Sequence, residues 1–281
     1  MHIVHPDGSM DFLATSPHFA ARSMPINKLP GHWVLASAGK RVLRPGGREL
    51  TNRMLNALAI GSKDNVVEFA PGLGVTAQIV LDRRPSSYCG VEREPAAAEP
   101  LQQRFAASQV RFVQGEAQKS GLTDGCATVV YGEAMLSMQT PEQKQRIFVE
   151  ARRLMGPGGR YGIHELCFLP DDISPALRRV IQAELSTEIH VGVQPLSRAE
   201  WTALYQQNGM TVSWTSQAPM HLLEPWCMLS DEGLRGGVRI IFNMLTKPEL
   251  RKRILGMRRL FHKYEKHLGA IALVGTVKGA H

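Results

Sequence analysis

The stretch that most constrains the fold is Asn65–Ala77, in which a short apolar strand passes through a glycine turn into a helix. Glu68 stands near the end of the strand. Gly72 and Gly74 follow it, and glycines permit a tight turn and a close approach of the backbone to a ligand. Helical spacing resumes over residues 75–81. This order of elements predicts a nucleotide-binding corner in an α/β fold.

The residues around the glycines indicate which nucleotide the corner binds. Gly72, Gly74 and Ala77 fit a degenerate dinucleotide fingerprint, so the glycines alone decide little. A dinucleotide places its pyrophosphate at the helix N-terminus, where the carboxylate of Glu68 would repel it. The same carboxylate suits a ligand with an ammonium group and no phosphate. S-adenosylmethionine meets this requirement, because it carries an α-amino group and a sulfonium cation and has no phosphate.

Further short apolar runs continue the pattern at residues 88–92, 110–114, 128–131 and 161–166. The first of them ends in Glu92, which is placed to accept hydrogen bonds from two ribose hydroxyls. After the next run, Glu116 and Ala117 could offer a carboxylate or a backbone group to an adenine edge. Residues 156–159 end a helix with glycines and a proline, which supports the fold and carries no chemistry.

This ordered set of motifs resembles the class I S-adenosylmethionine-dependent methyltransferases, over roughly residues 50–216 and the last strand. The resemblance implies an α/β, Rossmann-like fold with a seven-stranded, mostly parallel sheet and helices on both faces. One departure is that Ala70 stands where the family usually has the first glycine of its motif. Because alanine tolerates a positive φ poorly, we expect the turn to persist with a negative φ at Ala70.

The resemblance predicts S-adenosylmethionine as the cofactor and a set of residues that bind it. They are Glu68, Ala70, Pro71, Gly72, Gly74, Glu92, Arg93, Glu116, Ala117 and Glu133.

Composition excludes several other classes of protein. The chain of 281 residues has no apolar segment near the ~18 residues that cross a bilayer and no basic-then-apolar leader pattern, so we expect a cytoplasmic protein. Its four cysteines lack Cys-x-x-Cys spacing, which disfavours a zinc site or a disulfide framework. We therefore predict no metal.

The net charge of +8 is concentrated in residues 247–267, which hold eight Lys or Arg residues against two Glu residues. Apolar side chains recur there at helical spacing, so a solvated basic helix with a buried apolar face is the simplest interpretation. Alternatively, the basic helix could attract an anionic substrate, RNA or a membrane surface. The side chains expected to point inward are Leu250, Ile254, Met257, Phe261 and Tyr264.

Three regions follow from these patterns. Residues 1–64 form an N-terminal helical segment that covers the site. Residues 65–216 and 269–281 form the catalytic domain. Residues 217–268 separate the last two strands, where a hairpin would need only 2 to 5 residues, and we predict an inserted helical lid or dimerisation element. Asp231 and Thr246 are the expected helix caps within it.

The chemistry belongs at the carboxyl ends of the fourth and fifth strands, which face the cofactor in this fold. His164 is the preferred general base, because an imidazole can take a proton from a hydroxyl or thiol near neutral pH. Glu133 and Glu165 compete for that role. Residues expected to bind the substrate are Trp33, Arg44, Met135, Met138 and His164.

We therefore predict a methyltransferase that acts on a hydroxyl or thiol of a small molecule, with a homodimer as a possible assembly. Nucleic acid is an unlikely partner, because the fourth strand is not followed by the Asn/Asp-Pro-Pro-aromatic motif of enzymes that methylate base amines. An NAD(P)-dependent oxidoreductase is the first alternative. A non-catalytic nucleotide-binding or RNA-associated module is the second.

Overall fold

The computed structural model describes residues 25–279, and predictions that concern residues 1–24 lie outside the described residues. Its main sheet contains eight strands. In chain order they are β1 (Asn65–Phe69), β2 (Ser87–Glu92), β3 (Val110–Gln114), β4 (Ala127–Glu133), β5 (Met155–Phe168), β6 (Leu196–Ser197), β7 (Met210–Pro219) and β8 (Leu268–Val277).

The helices that surround this sheet alternate with the strands along most of the chain. They are α1 (Gly31–Ala38), α2 (Gly47–Leu58), α3 (Val75–Leu81), α4 (Pro95–Arg104), α5 (Pro141–Leu154), α6 (Pro175–Ile189), α7 (Arg198–Gln207), α8 (Pro225–Thr246) and α9 (Pro248–Lys263). Short 3-10 turns lie at Ile26–Lys28 and Leu136–Met138. None of the helices in residues 25–279 is long and apolar enough to cross a membrane.

The strand order is β3-β2-β1-β4-β5-β8-β7, and the two-residue β6 pairs with β5. The pairs from β3 to β5 are parallel, whereas β8 runs antiparallel to both β5 and β7. The predicted Rossmann-like α/β fold is confirmed. The chain proceeds outward from β1 in one direction and from β4 in the other, so the point where this order reverses lies between β1 and β4. Ligands of open α/β sheets bind outside the carboxyl ends of the strands at such a point.

Two helices of the catalytic domain begin at a local capping motif. Thr140 and Gln143 form a reciprocal capping box at the start of α5, and Ser197 and Glu200 form another at the start of α7. Such boxes satisfy backbone N–H groups that have no partner within the helix. Because they depend only on residues three positions apart, the sequence is sufficient to predict them.

The caps predicted for the insert are wrong. The helix α8 begins at Pro225, before Asp231, and is interrupted at Gly233, which has a φ of 72°. The carboxylate of Asp231 contacts a different part of the chain, as described below. Thr246 does not cap α9, because its hydroxyl donates to the carbonyl of Phe242 at 2.9 Å.

The insert between β7 and β8 packs its two helices differently. The predicted inward face of α9 is confirmed, since Leu250, Ile254, Met257, Phe261 and Tyr264 are all buried. The helix α8 buries Ile240 but leaves an apolar row in solvent. The exposed fractions in this row are 79% for Leu234, 66% for Val238, 54% for Ile241, 64% for Phe242 and 68% for Leu245.

Candidate functional site

A cavity of about 520 Å³ lies outside the carboxyl ends of the parallel strands. This is where the reversal of strand order between β1 and β4 predicts a ligand site. Four parts of the chain line it: residues 32–44, the turn after β1, the end of β2, and the start of the loop after β4. Most of the predicted site residues lie here, namely Trp33, Arg44, Glu68, Ala70, Pro71, Gly72, Glu92, Arg93, Glu133, Met135 and Met138.

The turn after β1 corrects one prediction. Ala70 has a φ of 54°, not the negative value expected for alanine. Its backbone N–H donates to the carbonyl of Val91 at 2.9 Å. This hydrogen bond ties the turn to the end of β2 and offsets the cost of about 1–2 kcal/mol that an L-residue incurs in the left-handed region.

The two glycines of the turn serve different needs. A side chain at Gly72 would contact no atom nearer than the carbonyl of Ala70 at 3.9 Å, so this glycine keeps the backbone open to the cavity. A side chain at Gly74 would overlap Leu101 at 2.6 Å and Phe105 at 2.9 Å. Gly74 therefore allows α3 to start against α4 and does not line the cavity.

Glu68 is buried in the cavity wall between two tyrosines. Its Oε2 accepts hydrogen bonds from the hydroxyls of Tyr88 and Tyr131, the second at 2.5 Å. Burial raises the pKa of Glu68 to about 7, and the hydrogen bonds from Tyr131 and Tyr88 oppose this rise only in part. Near neutral pH this carboxyl is therefore close to half ionised.

Glu133 lies at the end of β4 in a denser polar cluster. Its Oε1 accepts from the hydroxyl of Thr51 at 2.6 Å and lies 3.2 Å from Arg44 Nε. Its Oε2 accepts from the hydroxyl of Thr76 at 2.5 Å. Burial alone would raise the pKa of Glu133, but the Arg44 guanidinium and His164 outweigh it and lower the pKa to about 2. This carboxylate is ionised throughout the physiological range.

His164 does not lie in the cavity lining. Its side chain is fully buried, with Nδ1 3.0 Å from Glu133 Oε1 and Nε2 2.5 Å from the carbonyl oxygen of Pro45. Both ring nitrogens face oxygen acceptors, so neither offers a lone pair to a substrate. This placement does not favour His164 as a general base or as a substrate contact, and both roles stay predictions. The histidine lies behind Glu133 and supports it.

The contacts of Glu165 favour a structural role, and its catalytic role stays a prediction. Its carboxylate accepts hydrogen bonds from the backbone N–H groups of Met135, Leu136 and Ser137 at 2.7–2.9 Å, and from the Ser137 hydroxyl at 2.7 Å. Glu165 is fully buried and does not line the cavity. It fixes the loop that follows β4 and so sets the position of Met135.

Glu92 ends β2 beside the glycine turn, where the ribose prediction places it. Burial raises its pKa, and hydrogen bonds from the backbone of Glu94, Gly72 and Arg93 oppose this rise. Arg93 lines the cavity with a side chain that is 72% exposed. Glu116 and Ala117 lie outside the cavity lining, because the exposed carboxylate of Glu116 accepts from Gln118 at 2.6 Å and Ala117 packs against the core.

The segment that carries Arg44 is held by two acids of the insert. Asp231 accepts from Lys40 Nζ and from the backbone N–H of Arg48, both at 3.0 Å. Glu232 accepts from the backbone N–H groups of residues 41 and 42 at 2.7 and 2.8 Å. The acids and the segment are about 190 residues apart in the chain, and the sequence carried no signal for this contact.

Sequence reasoning also missed His32 and a second cavity. His32 is the second residue of α1 and lines the main cavity. It also lines a cavity of about 100 Å³ that lies among α1, α6 and the insert and whose walls are mostly apolar. His32, Leu43, Ala134 and Met138 line both cavities. Among residues 25–279, no group of His, Cys, Asp and Glu side chains is placed to hold a metal ion.

The buried charges suit a ligand that carries both signs. Glu68 and Glu92 are buried acids of the main cavity, and Arg44 is its buried base. Glu133 is half-buried as a residue, but only 6% of its side chain is exposed. Arg44 Nη2 is buried without a hydrogen-bond partner among the described residues. A buried guanidinium nitrogen gains from an anionic acceptor, and buried carboxylates gain from cations or hydroxyl donors.

Comparisons with known proteins find methyltransferases among the relatives of this chain. Residues 66–159 match the family model described as a methyltransferase domain. An uncharacterised protein of Haemophilus influenzae is 29% identical over 247 residues, which cover 86% of this chain and 96% of that protein. Erythromycin 3''-O-methyltransferase of Saccharopolyspora erythraea is 24% identical over 235 residues, covering 78% of this chain and 75% of the enzyme.

A solved structure shares the fold at low sequence identity. It is phosphoethanolamine N-methyltransferase 2 of Haemonchus contortus, in complex with phosphomonomethylethanolamine and S-adenosylhomocysteine. The TM-score is 0.67 at 10% identity, over 96% of this chain and 60% of that one.

Proposed function

The chain is a class I S-adenosylmethionine-dependent methyltransferase, and from this premise we propose that it methylates a hydroxyl or thiol of a small molecule. The observation that carries the cofactor in this proposal is a set of three carboxylates around the glycine turn. Glu68 and Glu92 are buried, and the side chain of Glu133 is 6% exposed. They suit a cationic nucleoside ligand and would repel a pyrophosphate. The same set argues against the nicotinamide alternative.

We propose that the main cavity holds the cofactor through residues of the lining. Glu92 would accept hydrogen bonds from the ribose hydroxyls, and Gly72 would leave space for the nucleoside beside the turn. Arg44, whose Nη2 has no described partner, would bind the amino-acid carboxylate, and Glu68 would face the ammonium group. The bound cofactor would supply an activated methyl group.

The protein's own contribution is to align the acceptor, exclude water and receive a proton. Glu133 is held as an anion by Arg44 and Thr76, so it stabilises positive charge in the cavity and is a poor proton acceptor. The polar cluster behind it fixes that charge without further reorganisation.

Hydroxyl methylation is supported by the relative from Saccharopolyspora erythraea, whose name describes an O-methyltransferase. A direct test is a screen of phenols, alcohols and thiols with methyl-labelled S-adenosylmethionine. We expect label transfer to at least one hydroxyl or thiol compound, at a rate that falls when Arg44 is replaced by Met. Transfer only to amines or to RNA would contradict the proposed acceptor class.

A further inference from the structure

We propose that the small cavity beside His32 is the acceptor site, that it takes the apolar part of a hydroxyl- or thiol-bearing molecule, and that His32 accepts the acceptor's proton. This inference rests on the proposed methyl transfer and adds to it the substrate class and the base.

The lining of the small cavity selects an apolar ligand. Leucine, isoleucine, methionine and phenylalanine side chains from α1, α6 and the insert form most of its wall, including Leu35, Leu185, Ile189, Leu222, Met257 and Phe261. The hydroxyl of Ser137 also lines it, but this group donates to Glu165 at 2.7 Å and accepts from the N–H of Leu166 at 3.1 Å. A polar ligand would therefore lose its hydrogen bonds to water in this cavity, and few polar groups of the wall could replace them.

The volume of the small cavity limits the size of the apolar group that an acceptor can bury there. An engineered apolar cavity of about 150 Å³ binds benzene, and this one measures about 100 Å³. In proportion, it can hold a group of roughly four carbon atoms. The rest of a larger acceptor must lie in the main cavity. The two cavities adjoin, because Leu43, Ala134 and Met138 line both.

His32 is the imidazole that lies at this junction. Neither of its ring nitrogens has a hydrogen-bond partner among the described residues, in contrast to the nitrogens of His164. The backbone beneath it is fixed, because Gly31 lies so close to Ile189 and Met257 that a side chain there would stand 3.0–3.1 Å from them. A tightly packed helix thus presents an unpartnered imidazole to both cavities.

The protonation state of His32 fits the task. Burial lowers its pKa to about 4, so the ring is neutral at physiological pH and adds no charge that would repel a cationic cofactor. The acceptor oxygen or sulfur would gain a bond to the methyl carbon while the bond from that carbon to the sulfonium sulfur breaks, and its electron pair would stay on sulfur to leave S-adenosylhomocysteine. The acceptor's proton would pass to the lone pair of an imidazole nitrogen of His32. Even a weak base suffices, since a hydroxyl becomes strongly acidic as that bond forms.

The binding test uses benzyl alcohol as the probe, titrated into the full-length protein and followed by protein NMR shifts without cofactor. Leu222→Phe fills the small cavity, and Leu223→Phe is the matched control, because Leu223 is buried but lines neither cavity. We expect Leu222→Phe to weaken binding at least fivefold and Leu223→Phe to change it less than twofold. Val193→Ile, which adds one methyl group to the same cavity, should give a smaller loss if Leu222→Phe fails to fold. Unchanged binding in the cavity-filling variants would overturn the acceptor site.

The catalytic test compares His32→Gln with the wild type. With benzyl mercaptan as acceptor, we expect kcat to fall at least tenfold, while the dissociation constants of S-adenosylhomocysteine and benzyl alcohol stay within twofold. The His32 ring resonance of the wild type should stay in its neutral form from pH 5.5 to 8. An unchanged kcat, or a ring that titrates near pH 6.5, would overturn the role of His32. Failure of S-adenosylhomocysteine to bind the wild type would instead contradict the proposed function.

Discussion

Glu68 and Glu133 are buried carboxyls of the same cavity whose surroundings move their pKa values in opposite directions. Burial dominates at Glu68, where the only hydrogen bonds come from neutral tyrosines, and its pKa rises to about 7. Arg44 and His164 dominate at Glu133, and its pKa falls to about 2. The difference decides which of the two is permanently charged.

The raised pKa of Glu68 predicts a pH dependence of stability. Between about pH 4.5 and 7 the folded state holds a proton that the unfolded state releases, so this group lowers the free energy of unfolding as the pH rises. The free energy of unfolding should therefore fall between pH 5 and pH 8. We expect this fall to be about 2–3 kcal/mol smaller in Glu68→Gln than in the wild type. Urea unfolding at the two pH values measures it. Glu116→Gln, at an exposed carboxyl, should behave as the wild type, and identical pH slopes in all three proteins would contradict this assignment.

The positive φ of Ala70 predicts a stabilising substitution. Ala70→Gly removes the steric cost of the left-handed conformation but increases the entropy of the unfolded chain, and we expect a net gain of about 1 kcal/mol. Calorimetry should show a melting temperature about 2–4 °C higher. Ala183→Gly, at an exposed position in the middle of α6, should lower stability by about 1 kcal/mol. A loss of stability in Ala70→Gly would mean that the turn does not adopt this conformation.

At the scale of elements, the acids of α8 couple the insert to the segment that carries Arg44. Lys40 and Asp231 form a buried ion pair, with 1% and 6% of their side chains exposed. Asp231→Ala leaves the buried Lys40 ammonium with only Glu232, whose Oε1 lies 4.0 Å away. Because the nearer partner is lost, we expect the free energy of unfolding to fall by about 3 kcal/mol, the lower end of the range for a broken buried pair. It should also speed amide hydrogen exchange in residues 40–48.

Asp172→Ala is the matched control, because Asp172 is exposed in the loop before α6. It should change neither stability nor exchange. Equal effects of the two substitutions would show that the contact between the insert and residues 40–48 contributes little.

The elements that the sequence predicts well are those defined by local rules. Strand ends and capping boxes, such as the one at Thr140, depend on residues a few positions apart, and the strands β1 to β4 lie where the periodicity places them. Contacts such as that between Arg41 and Glu232 span about 190 residues and leave no local pattern. The surroundings of the histidines are not visible in the sequence for the same reason. Only the fold shows that both ring nitrogens of His164 face oxygen atoms and that His32 lines the main cavity.

At the scale of the molecule, the exposed face of α8 bears on the two roles predicted for the insert. Soluble monomers rarely expose apolar patches larger than a few hundred Å², yet Leu234, Val238, Phe242 and Leu245 are each more than 60% exposed. Residues of the insert, including Met220 and Phe261, do line the small cavity. A lid and a dimer interface would therefore use different faces of the insert. One face forms a wall of the small cavity, and the other presents the exposed apolar row.

We expect the protein to form a homodimer through this face. Val238→Arg should weaken the dimer, because a charge would be buried at the centre of the apolar row. Sedimentation equilibrium measures the effect. Val149→Arg is the control, since Val149 is also exposed but lies on α5. A monomeric wild type, or equal self-association of the two variants, would contradict the interface.

The central claim, that the acid-lined cavity binds S-adenosylmethionine, is tested most directly by calorimetric titration of S-adenosylhomocysteine into the wild type, Glu92→Ala and Glu99→Ala. We predict micromolar binding to the wild type and at least tenfold weaker binding to Glu92→Ala, because the ribose hydroxyls would lose a charged acceptor worth about 1.5–3 kcal/mol. Glu99, an exposed acid of α4 outside the cavity lining, should be replaceable without effect. Absence of binding to the wild type, or binding of NAD or NADP in its place, would contradict the account.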